Sequence, residues 1–159
     1  MKRASLFLIC PDCCIENPIQ QHFKGESYFL TALGSVFNLS DENYLETITE
    51  FIKLHNIEEI IIVNDCSCRF IQSVICNEKG FQTKAEEILK IIHLSGVLEI
   101  TSESHAYKKA YKLAELNIQH QAHAIKEIDA LNNKIQKNEI RLKGLIYERA
   151  SDSFFEVAV

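Results

Sequence analysis

Two short apolar runs constrain the fold of this chain more than any other feature. Residues 4–10, "ASLFLIC", are apolar except for Ser5, and residues 58–65, "EEIIIVND", carry the strongest strand signal in the sequence. A continuous apolar run of this length is typical of a strand that is buried on both faces, as in a parallel sheet. We therefore predict two buried strands that end at Cys10 and near Asp65.

Helical patterns alternate with the strand patterns along the chain. Helices are predicted near residues 16–23, over 40–57 with Ser40 as the N-cap, over 83–94 with a Thr83–Glu86 capping box, and over 104–137 in two pieces. Further strands are predicted at 27–33, 96–100, 141–148 and 153–159, the last two as a hairpin. This order predicts an α/β fold over residues 1–159 as a single domain: a mainly parallel central sheet flanked by helices, with an antiparallel C-terminal edge.

Charge and hydropathy exclude several classes of partner. The net charge is −5 and the pI about 5.7, whereas nucleic-acid binding depends on clustered Lys and Arg. The first apolar run is too short for a signal-peptide core, and no run approaches the roughly 18 apolar residues of a membrane span. We therefore expect a cytoplasmic protein with no nucleic-acid or membrane partner. In that compartment, clustered cysteines are typically metal ligands or redox groups.

Five of the six cysteines follow the two buried strands. They are Cys10, Cys13 and Cys14 after the first strand, and Cys66 and Cys68 after the second. Parallel sheets gather ligands at the carboxyl ends of their strands, so we expect these remote segments to meet at one edge. The residue types fit zinc, which takes about four ligands from Cys, His, Asp and Glu.

The residues alone leave the ligand set open. One hypothesis is a four-cysteine site formed by Cys10, Cys13, Cys66 and Cys68. Another is a mixed site of two thiolates and two carboxylates, formed by Cys10, Asp12, Asp65 and Cys68. Cysteines that simply pack as small apolar side chains, and a redox dithiol at Cys10 and Cys13, are the remaining interpretations.

In the order of these segments the chain resembles the β-class carbonic anhydrases. The family's first core strand ends in C-x-D-x-R, where this chain has Cys10-Pro11-Asp12-Cys13-Cys14, and a later strand ends in H-x-x-C-G, where this chain has "DCSCR" at 65–69. The family's G-x-x-Y-D is matched by "GLIYE" at 144–148, and its helix with an Asn-Val pair by the segment around Asn117. The resemblance covers most of the chain, although no single motif is intact.

The resemblance implies a zinc cofactor and a set of roles. Cys10 and Cys68 fall on the two zinc thiolates, Asp65 on the histidine ligand, and Asp12 on the aspartate that pairs with the motif's arginine. Cys14 stands at that arginine position, so we expect Asp12 to be unpaired and free to become a fourth metal ligand. The implied metal set is thus Cys10, Asp65, Cys68 and Asp12.

A carboxylate in place of the imidazole would make zinc a weaker Lewis acid and raise the pKa of a bound water. A closed fourth position would leave no room for the hydroxide that attacks CO2. We therefore expect a zinc-binding protein of carbonic-anhydrase type with impaired or lost CO2 hydration. One alternative is an active enzyme that interconverts CO2 and bicarbonate through zinc-bound hydroxide, with Asp12 as the catalytic residue. Another is a metal-free interaction or structural protein on the same fold, and a homodimer is left open.

Overall fold

A five-stranded sheet forms the centre of the protein, for which a computed structural model describes residues 3–159. The strands are β1 (Ala4–Ile9), β2 (Glu26–Thr31), β3 (Ile57–Asp65), β4 (Arg141–Glu148) and β5 (Ser153–Val157). Their order is β2-β1-β3-β4-β5, and every neighbouring pair is parallel except β4 and β5. The predicted α/β class, parallel centre and antiparallel C-terminal edge are confirmed.

In the described part of the chain, seven helices cover the two faces of the sheet. They are α1 (Glu16–His22), α2 (Glu42–Leu54), α3 (Arg69–Ile75), α4 (Lys84–Ser95), α5 (Val97–Ser102), α6 (Ala106–Lys126) and α7 (Asp129–Gln136). Alternate residues of β1 point into two separate apolar cores, Phe7 and Ile9 into one and Leu6 and Leu8 into the other. Within residues 3–159, no helix is both long and apolar enough to cross a membrane.

The strand predicted at residues 96–100 is wrong, because this segment forms helix α5. Gly96 caps the helix, Ile100 is buried, and Leu98 and Glu99 between them are exposed. A short, mostly apolar segment does not by itself distinguish a strand from one turn of a helix. Here the buried positions Gly96 and Ile100 are four residues apart, as on one face of a helix.

The predicted N-cap of α2 is also wrong by one residue. Asp41 is the cap, and its carboxylate accepts a hydrogen bond of 3.0 Å from the backbone N–H of Tyr44, whereas the Ser40 hydroxyl donates to Asn38. The capping box of Thr83 and Glu86 at α4 is confirmed. The long C-terminal helical region is in two pieces, as predicted, with the break after residue 126.

Candidate metal centre

Three cysteine thiols meet at the carboxyl edge of the sheet. Cys10 directly follows β1, a 3₁₀ turn over Pro11–Cys13 brings Cys13 back above it, and Cys68 is the N-cap of α3 after β3. The three Sγ atoms all lie within 4.8 Å of one another, and the residues are only 2–5% exposed. Among residues 3–159 this is the only such group of three or more His, Cys, Asp or Glu side chains.

The chain holds Cys10 from the side of the neighbouring strand. The backbone N–H of Gly34 donates a hydrogen bond of 3.2 Å to Cys10 Sγ, and Gly34 adopts φ 63°, a left-handed conformation that glycine tolerates without strain. The amide of Asn117, on α6, donates to the Gly34 carbonyl at 3.1 Å and to Asn64 Oδ1 at 2.9 Å. This buried network fixes the donor that faces the sulfur.

Hydrogen bonds among the three thiols shift their pKa values in opposite directions. Hydrogen bonds from Cys13 and Cys68 lower the pKa of Cys10, and the same contacts raise the pKa of Cys13, which keeps its proton. The pKa of Cys68 is raised, chiefly by its hydrogen bond with Cys10. The hydrogen bonds from Cys13 and Cys68 therefore favour the thiolate form of Cys10 over that of its two neighbours.

This donor set fits zinc. Sulfur is a preferred zinc ligand, and three thiols that already converge in an apolar pocket need little rearrangement to reach one ion. Binding would displace the remaining thiol protons, so affinity would rise with pH.

Asp12 is paired with an arginine after all, and the expectation that it has no such partner is wrong. Arg69, the residue after Cys68, donates from Nε to Asp12 Oδ2 at 2.9 Å and from Nη2 to Oδ1. The pair lowers the pKa of Asp12, chiefly through these hydrogen bonds. Cys14, which stands at the arginine position of the C-x-D-x-R motif, is exposed.

Asp65 also faces an arginine. Arg149, just beyond β4, places Nε 2.7 Å from Asp65 Oδ2 and donates from Nε to the Ser67 hydroxyl at 3.1 Å. Its Nη2 donates to the backbone carbonyl of Cys13. The Asp65 carboxylate is thus engaged on the side of β4, and it does not belong to the thiol group.

The structure therefore brings together two of the four predicted ligands, Cys10 and Cys68, and adds Cys13 to them. It does not bring Asp12 or Asp65 into the same group. Cys66, from the four-cysteine hypothesis, lies in the apolar core on the opposite face of the sheet. Burial, together with the nearby Asp65 carboxylate, raises the pKa of Cys66 to about 12.

A sequence model of the carbonic anhydrase family matches residues 5–153, which is nearly the whole chain. This protein belongs to the β-carbonic anhydrase family. A comparison with curated protein sequences gives no significant match.

Solved structures of β-carbonic anhydrases share the fold. CafA of Aspergillus fumigatus is 19% identical, with a TM-score of 0.83 over 99% of this chain and 76% of that one. A tetrameric β-carbonic anhydrase of Sordaria macrospora is 13% identical, with a TM-score of 0.83 over 100% and 82% of the two chains. CafD of Aspergillus fumigatus is 18% identical, with a TM-score of 0.81 over 98% and 90%.

Sequence reasoning missed the two arginines of this β-carbonic anhydrase site. Arg69 and Arg149 each lie within a few residues of the carboxyl end of a strand, where side chains converge. Their position after a predicted strand was the one sequence signal that could have placed these arginines at the site. Their partners could not be read from spacing, because Asp12 and Arg69 are 57 residues apart and Cys13 and Arg149 are 136 residues apart.

Proposed function

We infer that this chain is a zinc-binding β-carbonic anhydrase homologue that holds the metal through Cys10, Cys13 and Cys68, and that its CO2 hydration is impaired. The observation that carries this proposal is the group of three buried thiols within 4.8 Å. Family membership makes CO2 and bicarbonate the expected substrates.

Zinc supplies Lewis-acid activation of water when it is bound. Three thiolates carry three negative charges, whereas two thiolates and a neutral imidazole carry two. The extra charge reduces the electron demand of the metal and raises the pKa of the water it activates. The substitution of a thiolate for an imidazole is therefore the reason to expect slow turnover at neutral pH.

The fixed position of Asp12 is the reason to expect some remaining CO2 hydration activity. The Arg69 guanidinium keeps this carboxyl ionised, so that it accepts hydrogen bonds, and holds it beside the turn that carries Cys13. A fixed acceptor at this place can orient a water or a bicarbonate hydroxyl. Asp12 is therefore the residue we assign to catalysis.

The first test is the zinc content of protein purified under reducing conditions without added metal. We expect about one zinc per chain in the wild type, and loss of most of it in Cys13→Ser and in Cys68→Ser. Cys76→Ser is the matched control, since Cys76 is exposed and lies outside the group. A wild type without zinc would leave the metal-free interaction protein as the better hypothesis.

The same preparations then give the rate of CO2 hydration by stopped flow. We expect the zinc-loaded wild type to show a kcat/KM at least about tenfold below that of CafA measured beside it, a loss of about 1.4 kcal/mol in transition-state stabilisation. Equal values would contradict impairment. Zinc retained in Cys13→Ser but lost in Asp65→Asn would instead favour the ligand set that includes Asp65.

A further inference from the structure

We propose that Asp65, Ser67 and Arg149 form a positioning clamp that holds Cys13 among the metal ligands. The proposal rests on the three-thiol zinc site inferred above. Asp65 stands where the family has its histidine ligand, and the clamp gives it a different role. In this role Asp65 holds Cys13, which takes the place of the histidine as the third metal ligand.

Asp65 is the hub of the clamp. Its side chain is only 1% exposed, and Oδ1 accepts hydrogen bonds from the Ser67 backbone N–H at 2.7 Å and from the Ser67 hydroxyl at 2.6 Å. Its backbone carbonyl accepts a hydrogen bond of 3.0 Å from the N–H of Cys68. Asp65 thus fixes the turn that carries one of the thiols, and its Oδ2 is left to face Arg149.

Arg149 carries the link from Asp65 to Cys13. One edge of the guanidinium group faces Asp65 Oδ2 and Ser67 Oγ through Nε, while Nη2 donates to the Cys13 carbonyl. Arginine presents several donors in a planar fork, whereas a lysine has one compact ammonium group that cannot reproduce this geometry. The clamp therefore needs an arginine, and not merely a positive charge.

Cys10 does not depend on the clamp. It follows β1 directly, and its sulfur accepts the hydrogen bond from Gly34. Cys13, in contrast, lies at the end of a single 3₁₀ turn whose own backbone bond runs from the Cys13 N–H to the Cys10 carbonyl. Loss of the clamp should therefore release Cys13 selectively.

The same turn has a second anchor, the pair formed by Asp12 and Arg69. That pair is the weaker anchor, because the Arg69 side chain is 68% exposed and ion pairs at the surface contribute little. The carboxylate of the clamp is buried, so its contact with Arg149 is less screened by water.

The test compares Arg149→Lys and Asp65→Asn with a matched pair of variants at the other end of the sheet. There Arg141 lies 3.1 Å from Glu59, and Arg141 and Arg149 are similarly exposed, at 44% and 47%. The controls are therefore Arg141→Lys and Glu59→Gln. Zinc affinity is measured by competition with a chelator, and the number of thiolates on the metal by the sulfur-to-metal absorption of the cobalt-substituted protein. Circular dichroism confirms that each variant is folded.

We expect Arg149→Lys and Asp65→Asn to weaken zinc binding by about 10–100-fold, the usual effect of removing a partner that orients a ligand. Their cobalt absorption should fall to that of Cys13→Ser, whereas both controls should match the wild type. Folded clamp variants with wild-type affinity and absorption would overturn the clamp. So would Asp65→Asn that loses affinity while keeping the absorption of three thiolates. Failure of the zinc site itself is distinguished by the wild type, which would then bind neither metal.

Discussion

Carboxylates of β3 are paired with basic side chains at both ends of the sheet, in two different settings. Near the amino end of β3, Glu59 lies 3.1 Å from Arg141 and 3.0 Å from Lys143, and it accepts a hydrogen bond from Ser5. At the carboxyl end, Asp65 faces Arg149, which also reaches the Cys13 carbonyl. Both carboxylates are on the same strand, and both arginines are on or next to β4.

The two ion pairs differ in how far the backbone already holds their surroundings in place. Glu59 and Arg141 are direct neighbours in the register of β3 and β4, so the backbone ladder already holds them together. Arg149 instead contacts a loop that no strand pairing fixes. The same chemistry therefore stabilises the sheet at its amino end and sets the position of a thiol at its carboxyl end.

Of the effects expected to distinguish the two ends of the sheet, the loss of thermal stability on metal removal is the largest. Zinc at about 1,000 times its dissociation constant stabilises a folded site by about 4 kcal/mol, or roughly 10 °C in Tm for a chain of this size. We expect a chelator to lower the Tm of the wild type by that amount, and to do the same in Glu59→Gln. Thermal unfolding under reducing conditions measures this difference.

Cys13→Ser should lose most of this metal-dependent increment. If Glu59→Gln also loses it, the two ends of the sheet are coupled and the comparison fails.

A smaller effect is expected for Glu59→Gln itself, at about 1–3 kcal/mol of unfolding free energy at neutral pH. Burial raises the pKa of Glu59, but Lys143, Arg141 and Ser5 outweigh it and lower the pKa overall. A depressed folded pKa contributes stability above the unfolded value of about 4.3, and that stability is lost as the pH falls through the folded value. Urea unfolding should therefore show the gap between wild type and Glu59→Gln shrinking below about pH 4.3.

A gap that stays constant from pH 7 to pH 3 would mean that the charge of Glu59 is not what stabilises the sheet.

The smallest change in stability is expected for Arg69→Ala. This arginine is exposed, and ion pairs at the surface contribute little to stability. Zinc content should stay near the wild-type value, whereas the CO2 hydration rate should fall about tenfold because Asp12 is no longer held in place. Denaturant unfolding, metal analysis and stopped flow measure the three quantities.

Loss of zinc in Arg69→Ala to the extent seen in Arg149→Lys would show that the two arginines hold the turn equally.

The central part of the fold could be predicted because its strands are continuous apolar runs. Residues 60–63 are all buried, on both faces of the sheet, and such an unbroken apolar run is typical of a strand in a parallel sheet. The prediction for residues 96–100 was wrong because a segment of five residues with three apolar side chains fits either a strand or a helix. Its helical form depends on packing against α6, which no local pattern reveals.

The candidate site could be predicted in part for a similar reason. Cys10 and Cys68 follow strand ends, so topology alone brings them to one edge. Whether Cys13 or Asp65 joins them depends on where the Asp65 carboxylate finds a partner. That partner is Arg149, and neither spacing nor composition relates the two residues.

The span of the contact between Arg149 and Cys13 has a consequence for biosynthesis. The ribosome completes the segments with Cys10, Cys13 and Cys68 long before it adds Arg149, which follows Cys13 by 136 positions. Throughout that interval the nascent chain carries all three thiols but lacks the Arg149 guanidinium that contacts Cys13. In the proposed zinc site, the clamp therefore completes the ligand set only once β4 and Arg149 have been translated and docked beside β3. A shorter nascent chain would hold zinc about 10–100-fold more weakly.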